Sequence, residues 1–223
     1  MNQTPWTDAL PELLTALGET AWMTWWSFVI TLILGLLLGV VLRLTAPDGM
    51  RPNRLFYGLF GWIVNLTRSL PFLILIIVLI PLTRAVVGTA YGPTAAILPL
   101  AVGAIPFYAR VVESALREVA HGKIEAAQSM GSTTWQTVRK VLIPESMPGL
   151  VAGATLTLVT LIGYSTMAGA IGGGGVGDFA IRYGYQRFNA PVLLMSVVVL
   201  IVIVQLVQSI GDAIVRSMNH KRG

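Results

Sequence analysis

The chain alternates long apolar runs with short polar intervals, and these runs set the expected architecture. An apolar stretch of about 20 residues, rising 1.5 Å per residue, crosses about 30 Å of hydrocarbon as a helix. Five such spans are expected, over about 21–42, 57–82, 94–112, 150–170 and 191–215. The second is the least regular, because its clean run, Leu70 to Leu82, has only 13 residues. Extending it back to Tyr57 gives a crossing length but places Arg68 and Pro71 inside a helix. Arg68 must then face protein or water rather than lipid, as a pathway or interface charge or as an arginine snorkelling to the headgroups.

The other spans carry their own marks. Pro99, Gly103 and Pro106 in the third predict a kinked helix whose freed carbonyls need partners in a bundle. The fourth is dense in Gly153, Ala154, Gly163, Gly169 and Ala170, and Gly149 with Gly153 forms a small-xxx-small pair, which predicts a central, closely packed helix. Gln205, Gln208 and Asp212 predict a protein-facing side on the fifth. Ahead of the first span, Trp6, Leu10, Leu13, Leu14 and Leu17 recur at helical spacing behind Thr4 and Pro5, which predicts a short amphipathic helix on the membrane surface. Residues 2–18 hold no Lys or Arg, so the basic region of a signal peptide is missing and the N-terminus is expected to be retained.

Composition supports the membrane reading, with 55% hydrophobic residues, 11% charged residues and a mean hydropathy of +0.75. The net charge of +5 raises the question of a nucleic-acid partner. The basic residues, however, are scattered at the ends of apolar runs, a pattern of topology rather than of a binding patch. Only Arg84, Arg182 and Arg187 fall on the predicted outer side, so the N-terminus is expected outside and the C-terminus in the cytoplasm. The absence of Cys and the wide separation of His121 and His220 argue against thiolate or histidine metal sites.

The longest polar interval, about 113–149, contains EAAQSMGSTTWQTVRKVLIPESMPG from Glu125 to Gly149. Lys123 to Met130 suits two helical turns stopped by Gly131, a residue fitted to the left-handed C-terminal position. Thr133 with Gln136 matches a capping box, and Trp135, Val138 and Leu142 share one face of a second helix that should end before Pro144. Two short helices joined at a glycine make a rigid, water-facing bracket suited to docking and to transmitting force.

Several chemistries are disfavoured. There is no G-x-x-x-x-G-K-[ST], so energy from ATP must come through a partner. Gly172 to Gly177 formally satisfies G-x-G-x-x-G but follows an apolar span rather than a strand, so a flexible external turn is expected there instead of a dinucleotide site. An ion-coupled transporter would need an acid within a span, and only Asp212 comes near. A membrane enzyme would need a paired acid and base at membrane depth, which the pattern lacks.

Glu125-Ala126-Ala127, Gly131 four residues on, then Val141-Leu142-Ile143-Pro144, resembles the EAA loop of ATP-binding cassette (ABC) importer permeases. With RSLPFLILIIVLIPLTR, GPTAAILPLAVGAIPFYARVVESALREV, VRKVLIPESMPGLV and LIGYSTMAGAIGGGGVG, the chain after about Glu19 is similar to the permeases of methionine-uptake ABC importers. The resemblance implies an all-α, five-span, type I importer permease in the bacterial inner membrane, formed of a single domain. It also implies that Glu125, Ala126, Ala127, Gly131, Val141, Leu142, Ile143 and Pro144 couple it to an ATPase. The implied partners are a second copy of this chain, two ATP-binding subunits and an extracytoplasmic methionine-binding protein, with ATP and magnesium held by the ATPase and no cofactor or metal in this chain. Another amino acid or small polar solute is the alternative cargo.

If the fourth span lines a two-fold axis, Tyr164, Ser165 and Met167 near its outer half form a candidate pathway, with Met167 of both copies meeting as an apolar plug. Ordinary packing of Met167 is the competing expectation.

Overall fold

The computed structural model describes residues 9–220, and every regular element among them is helical. The order is α1 (Leu10–Thr45), α2 (Arg54–Ser69), α3 (Phe72–Val87), α4 (Pro93–Arg117), α5 (His121–Ser129), α6 (Thr134–Thr137), a π-helical turn (Val138–Leu142), α7 (Ile143–Ala170), α8 (Gly175–Phe179), a second π-helical turn (Ala180–Tyr185) and α9 (Ala190–His220). Four continuous helices are long and apolar enough to cross a membrane, and the bent pair α2–α3 makes a fifth crossing if counted as one.

The bundle is built on small residues. Thr20, Thr24, Ser27, Thr31, Gly35 and Gly39 bury one side of α1 at intervals of three or four residues, and that side meets α4. A Cβ on Gly35 would lie 2.9 Å from the Tyr108 ring, and one on Gly39 would lie 2.6 Å from the Ala109 carbonyl oxygen. Lipid tails are as apolar as leucine, so this close backbone approach, through dispersion contacts, is what holds such helices together. Gly149 and Gly153 do the same between α7 and α4, facing Ala115 and Val111. The centre expected of the fourth span is therefore shared: α4 touches α1, α2, α3 and α7, and carries Pro99 and Pro106 within one unbroken helix.

Several expectations are corrected. The segment 57–82 is not one helix, because α2 ends at Ser69 and α3 begins at Phe72 after a 110° bend. Pro71 is the cause, since its ring pushes the preceding residue out of the helical region, and Leu70 sits at φ −82°, ψ 131°. The pair still climbs α4. Tyr57 meets Glu113, Gly61 meets Arg110, Phe72 packs at Gly103, and α3 ends beside Ala95, a rise of about 27 Å along α4. The N-terminal segment is not a separate surface helix. From Leu10 it forms the first turns of α1, with Leu13 and Ala16 buried against Val176, Phe179 and Val192, while Thr4, Pro5 and Trp6 lie outside the described residues.

The glycine run after α7 is not a loose turn. The Gly175 N–H donates to Glu19 Oε2 at 2.7 Å, the Val176 N–H to Thr20 Oγ1 at 2.9 Å, and the Gly92 N–H to the Gly172 carbonyl at 2.8 Å. Gly172, Gly174 and Gly175 all have positive φ, so the chain folds back tightly only because these positions lack side chains. One face of α9 is left uncovered by the described residues: Gln205 and Asp212 are exposed, with Gln208 Nε2 donating to Asp212 Oδ1 at 3.2 Å.

Candidate coupling and translocation site

At one tip of the bundle, α5 presents one buried residue, Ile124, to Leu116, Val138, Leu142 and Leu150, and turns the rest outward. Glu125 and Ala126 are exposed and Ala127 is half-buried. Glu125 Oε1 lies 3.7 Å from His121 Nε2 on the same face. The helix ends in a Schellman arrangement, in which the Gly131 N–H donates to the Gln128 carbonyl at 2.9 Å and the Ser132 N–H to the Ala127 carbonyl at 3.1 Å. Gly131 takes φ +79°, as its position requires. The capping box at Thr133 and Gln136 is present with both of its hydrogen bonds.

Beyond the capping box, the expected stop before Pro144 does not occur. Residues 134–170 run as one continuous helical segment through Pro144 into α7. The π-helical turn is the reason. Its wider winding pairs the Ile143 N–H with the Val138 carbonyl five residues back, and so accommodates the proline, which has no N–H to donate. The bracket is therefore α5 packed against the root of α7, and force on α5 acts directly on a membrane helix. Leu142 is buried in that joint, Val141 and Ile143 are half-buried, and Pro144 is exposed. Trp135, expected beside Val138 and Leu142, instead projects outward and is 63% exposed, and Met130 is 88% exposed.

Polar ties missed by sequence reasoning fix this tip. Lys123 Nζ donates to Glu145 Oε2 at 2.7 Å, joining α5 to the start of α7, and Arg51 Nε donates to Thr134 Oγ1 at 3.2 Å from the α1–α2 loop. Just above, the buried Glu113 carboxylate accepts from Arg110 Nη1 at 2.6 Å, Arg117 Nη2 at 3.1 Å and the Tyr57 hydroxyl at 3.0 Å. Asp48 lies 3.5 Å from Arg43 and 3.9 Å from Arg117, so α1, α2 and α4 meet in one charge network. Only the charge step at the end of the third apolar run signals it in the sequence.

Along α7, Ala152, Leu156, Gly163, Met167 and Ala170 form an exposed stripe at helical spacing. Met167 is 47% exposed, and Tyr164, one turn below, stacks on Phe72 with ring centroids 3.9 Å apart. Ser165 is a correction: it is 1% exposed on the opposite side, with its hydroxyl donating to the Ile162 carbonyl at 2.7 Å, and cannot line a passage with Met167. Arg68, expected mid-helix, stands in the last turn of α2 at the break and shares a cavity of about 220 Å³ with Tyr164. At the opposite end of the bundle, beside α8, Arg182 donates to Asp178, which raises its pKa further above its ordinary value, and the Arg187 guanidinium lies 4.5 Å from the Tyr183 ring centroid.

Helices long and apolar enough to cross a membrane and an exposed bracket rooted in one of them fit a membrane permease subunit. Residues 32–220 match the family described as binding-protein-dependent transport system inner membrane components, and the chain belongs to that family. It is a permease subunit of the inner membrane rather than an ATPase, and it has the type I importer fold. A probable D-methionine transport system permease protein of Vibrio cholerae is 51% identical over 209 residues, covering 94% of this chain and 93% of that one. A methionine import system permease protein of Bacillus subtilis is 46% identical over 212 residues, covering 95% and 96%. A chain of the MetNI methionine ABC transporter, solved in inward-facing conformations, superposes with a TM-score of 0.93 at 47% identity, covering 95% of this chain and 98% of that one.

Proposed function

We propose that this chain is the translocation subunit of an ATP-driven importer of methionine, and that it moves its cargo by alternating access. The observation that carries the reading is the joint between α5 and α7, where an exposed Glu125-Ala126 face is built onto the root of a membrane helix. Near-full-length identity to methionine permeases supports the cargo.

In this reading two copies pair about a two-fold axis through the exposed stripe of α7, and the Met167 side chains meet as a plug. The N-terminus lies outside and the C-terminus inside, which puts α5 in the cytoplasm. A separate ATPase, holding ATP and magnesium, docks on Glu125, Ala126 and Ala127. Gly131, Val141, Leu142, Ile143 and Pro144 hold that docking face on α7. A methionine-binding protein delivers cargo to the outer face formed by α8 and the start of α1.

The test is to purify the chain with its ATPase and binding protein, reconstitute it in vesicles, and measure methionine uptake with ATP hydrolysis. Uptake that requires ATP and fails when residues 125–144 are replaced by a glycine-serine linker is the expected result. Uptake by the isolated chain without ATP would overturn the reading.

A further inference from the structure

The cavity beside the α2–α3 break combines features that the transport reading leaves unused. Arg68, Leu70, Phe72, Gly103, Phe107 and Tyr164 are among its lining residues. Its volume of about 220 Å³ falls below the ~300–1,000 Å³ of drug-sized pockets, which is the scale of one small amino acid. Gly103 and Phe107 lie near the middle of α4, so the cavity sits at mid-depth, about 15–21 Å from either end of that helix. It also lies about one helical turn to the cytoplasmic side of Met167.

A guanidinium at that depth needs a reason to be there, because a charge within the hydrocarbon layer is costly unless it meets a partner or a polar path. Among the described residues Arg68 has no ion pair and no hydrogen bond. Arg110, the neighbouring cation, reaches from α4 and is already engaged by Glu113, Gly61 and Asn65. No carboxylate lines the cavity, and the Thr67 hydroxyl is spent on the Ile63 carbonyl. Aromatic rings share the lining, with Phe72 and Tyr164 stacked within 6° of parallel. The cavity thus offers one exposed, unpaired cation with planar donors beside apolar aromatic side chains.

We propose that this cavity is a transient cargo site, in which Arg68 takes the α-carboxylate of a zwitterionic amino acid and Phe72, Phe107 and Tyr164 take its uncharged side chain. The planar guanidinium fork matches a carboxylate bidentately, and a thioether is well suited to aromatic edges. The same charge disfavours cationic amino acids, for which the lining supplies no counter-ion. Gly103 keeps the site open, since a Cβ there would lie 3.1 Å from the Phe72 ring.

This inference rests on the importer reading above, and one experiment separates the two. The complete transporter is reconstituted in phosphatidylcholine vesicles, with and without phosphatidylglycerol, and radiolabelled methionine taken up is divided by ATP hydrolysed. Arg68→Gln is expected to lower that ratio at least tenfold, with Arg68→Lys, which keeps the charge but loses the fork, intermediate between it and wild type, and Phe107→Trp, which fills the cavity, also lowered. A purely structural role would depress uptake and hydrolysis together and leave the ratio unchanged, which would overturn the proposal. So would an Arg68→Gln deficit seen only with phosphatidylglycerol, which would assign the guanidinium to a lipid headgroup. A wild-type complex that hydrolyses ATP but takes up no methionine would refute the importer reading and this inference with it.

Discussion

Lys123 on α5 and Glu145 at the start of α7, 22 residues apart, are joined by a hydrogen-bonded ion pair of 2.7 Å. This pair closes the bracket beside the Ile124 contact, so α5 is held to the membrane helix by an apolar and a polar clasp. Both side chains are partly exposed, and such a pair contributes only about 0.2–1 kcal/mol to stability. Its value lies in direction. Lys123→Met should leave the amount of assembled complex unchanged and lower methionine uptake per ATP several-fold, because α5 can tilt without carrying α7. The swap Lys123→Glu with Glu145→Lys should recover most of the loss in the same vesicle assay.

Glu113 is the buried hub of the α5 end of the bundle, 4% exposed and bonded to Arg110, Arg117 and Tyr57. Removing its charge leaves two guanidinium groups facing each other without an acid between them. Breaking a fully buried pair costs about 3–5 kcal/mol, and Arg117 is half-exposed, so water reduces the figure here. Glu113→Gln should therefore lower the thermal stability of the detergent-solubilised complex by about 1–3 kcal/mol. High salt should destabilise the variant less than wild type, since the attraction it screens is gone.

The α1–α4 contact admits no side chain at Gly39, where a Cβ would fall 2.6 Å from the Ala109 carbonyl oxygen. Gly58 on α2 has nothing within 4 Å of that position. Gly39→Ala should force the helices apart and cost about 1–3 kcal/mol, seen as reduced folded yield after extraction. Gly58→Ala should be neutral or stabilising by up to about 1 kcal/mol, since alanine is the better helix former. Equal yields from the two variants would contradict the packing described.

Much of this could be read in the sequence, and the misses share a physical cause. Apolar runs located the crossing helices because hydrocarbon selects on length and polarity, which are local properties. Gly131 and the Thr133–Gln136 box were legible because caps are local hydrogen-bond chemistry. The two prolines misled in opposite directions: Pro71 breaks a helix expected to continue, and Pro144 is passed by a helix expected to stop. Proline only removes a donor and a conformation, and the neighbouring backbone decides whether a π turn or a bend absorbs the loss. Glu113 and the Arg68 cavity depend on which helices meet, which no window along the chain contains. Ser165 was misplaced because adjacent residues of one motif were read as sharing a face, whereas two residues along a helix turn a side chain to nearly the opposite side.

Met167 tests the proposed pathway directly. Its side chain is 47% exposed on the stripe of α7 that no other described element covers, and the flexible thioether can fill an irregular gap between two copies. If it closes the passage, shortening it opens a gap about as wide as the lost side chain on each side of the axis. Met167→Ala should then raise ATP-independent leak of methionine from loaded vesicles by about an order of magnitude, while Met167→Leu, of similar volume, keeps it near wild type. Packing alone predicts a different pattern, in which both variants change stability and neither changes leak. Leak measured at fixed complex density in the vesicles decides between them, because it reads the gap rather than the fold.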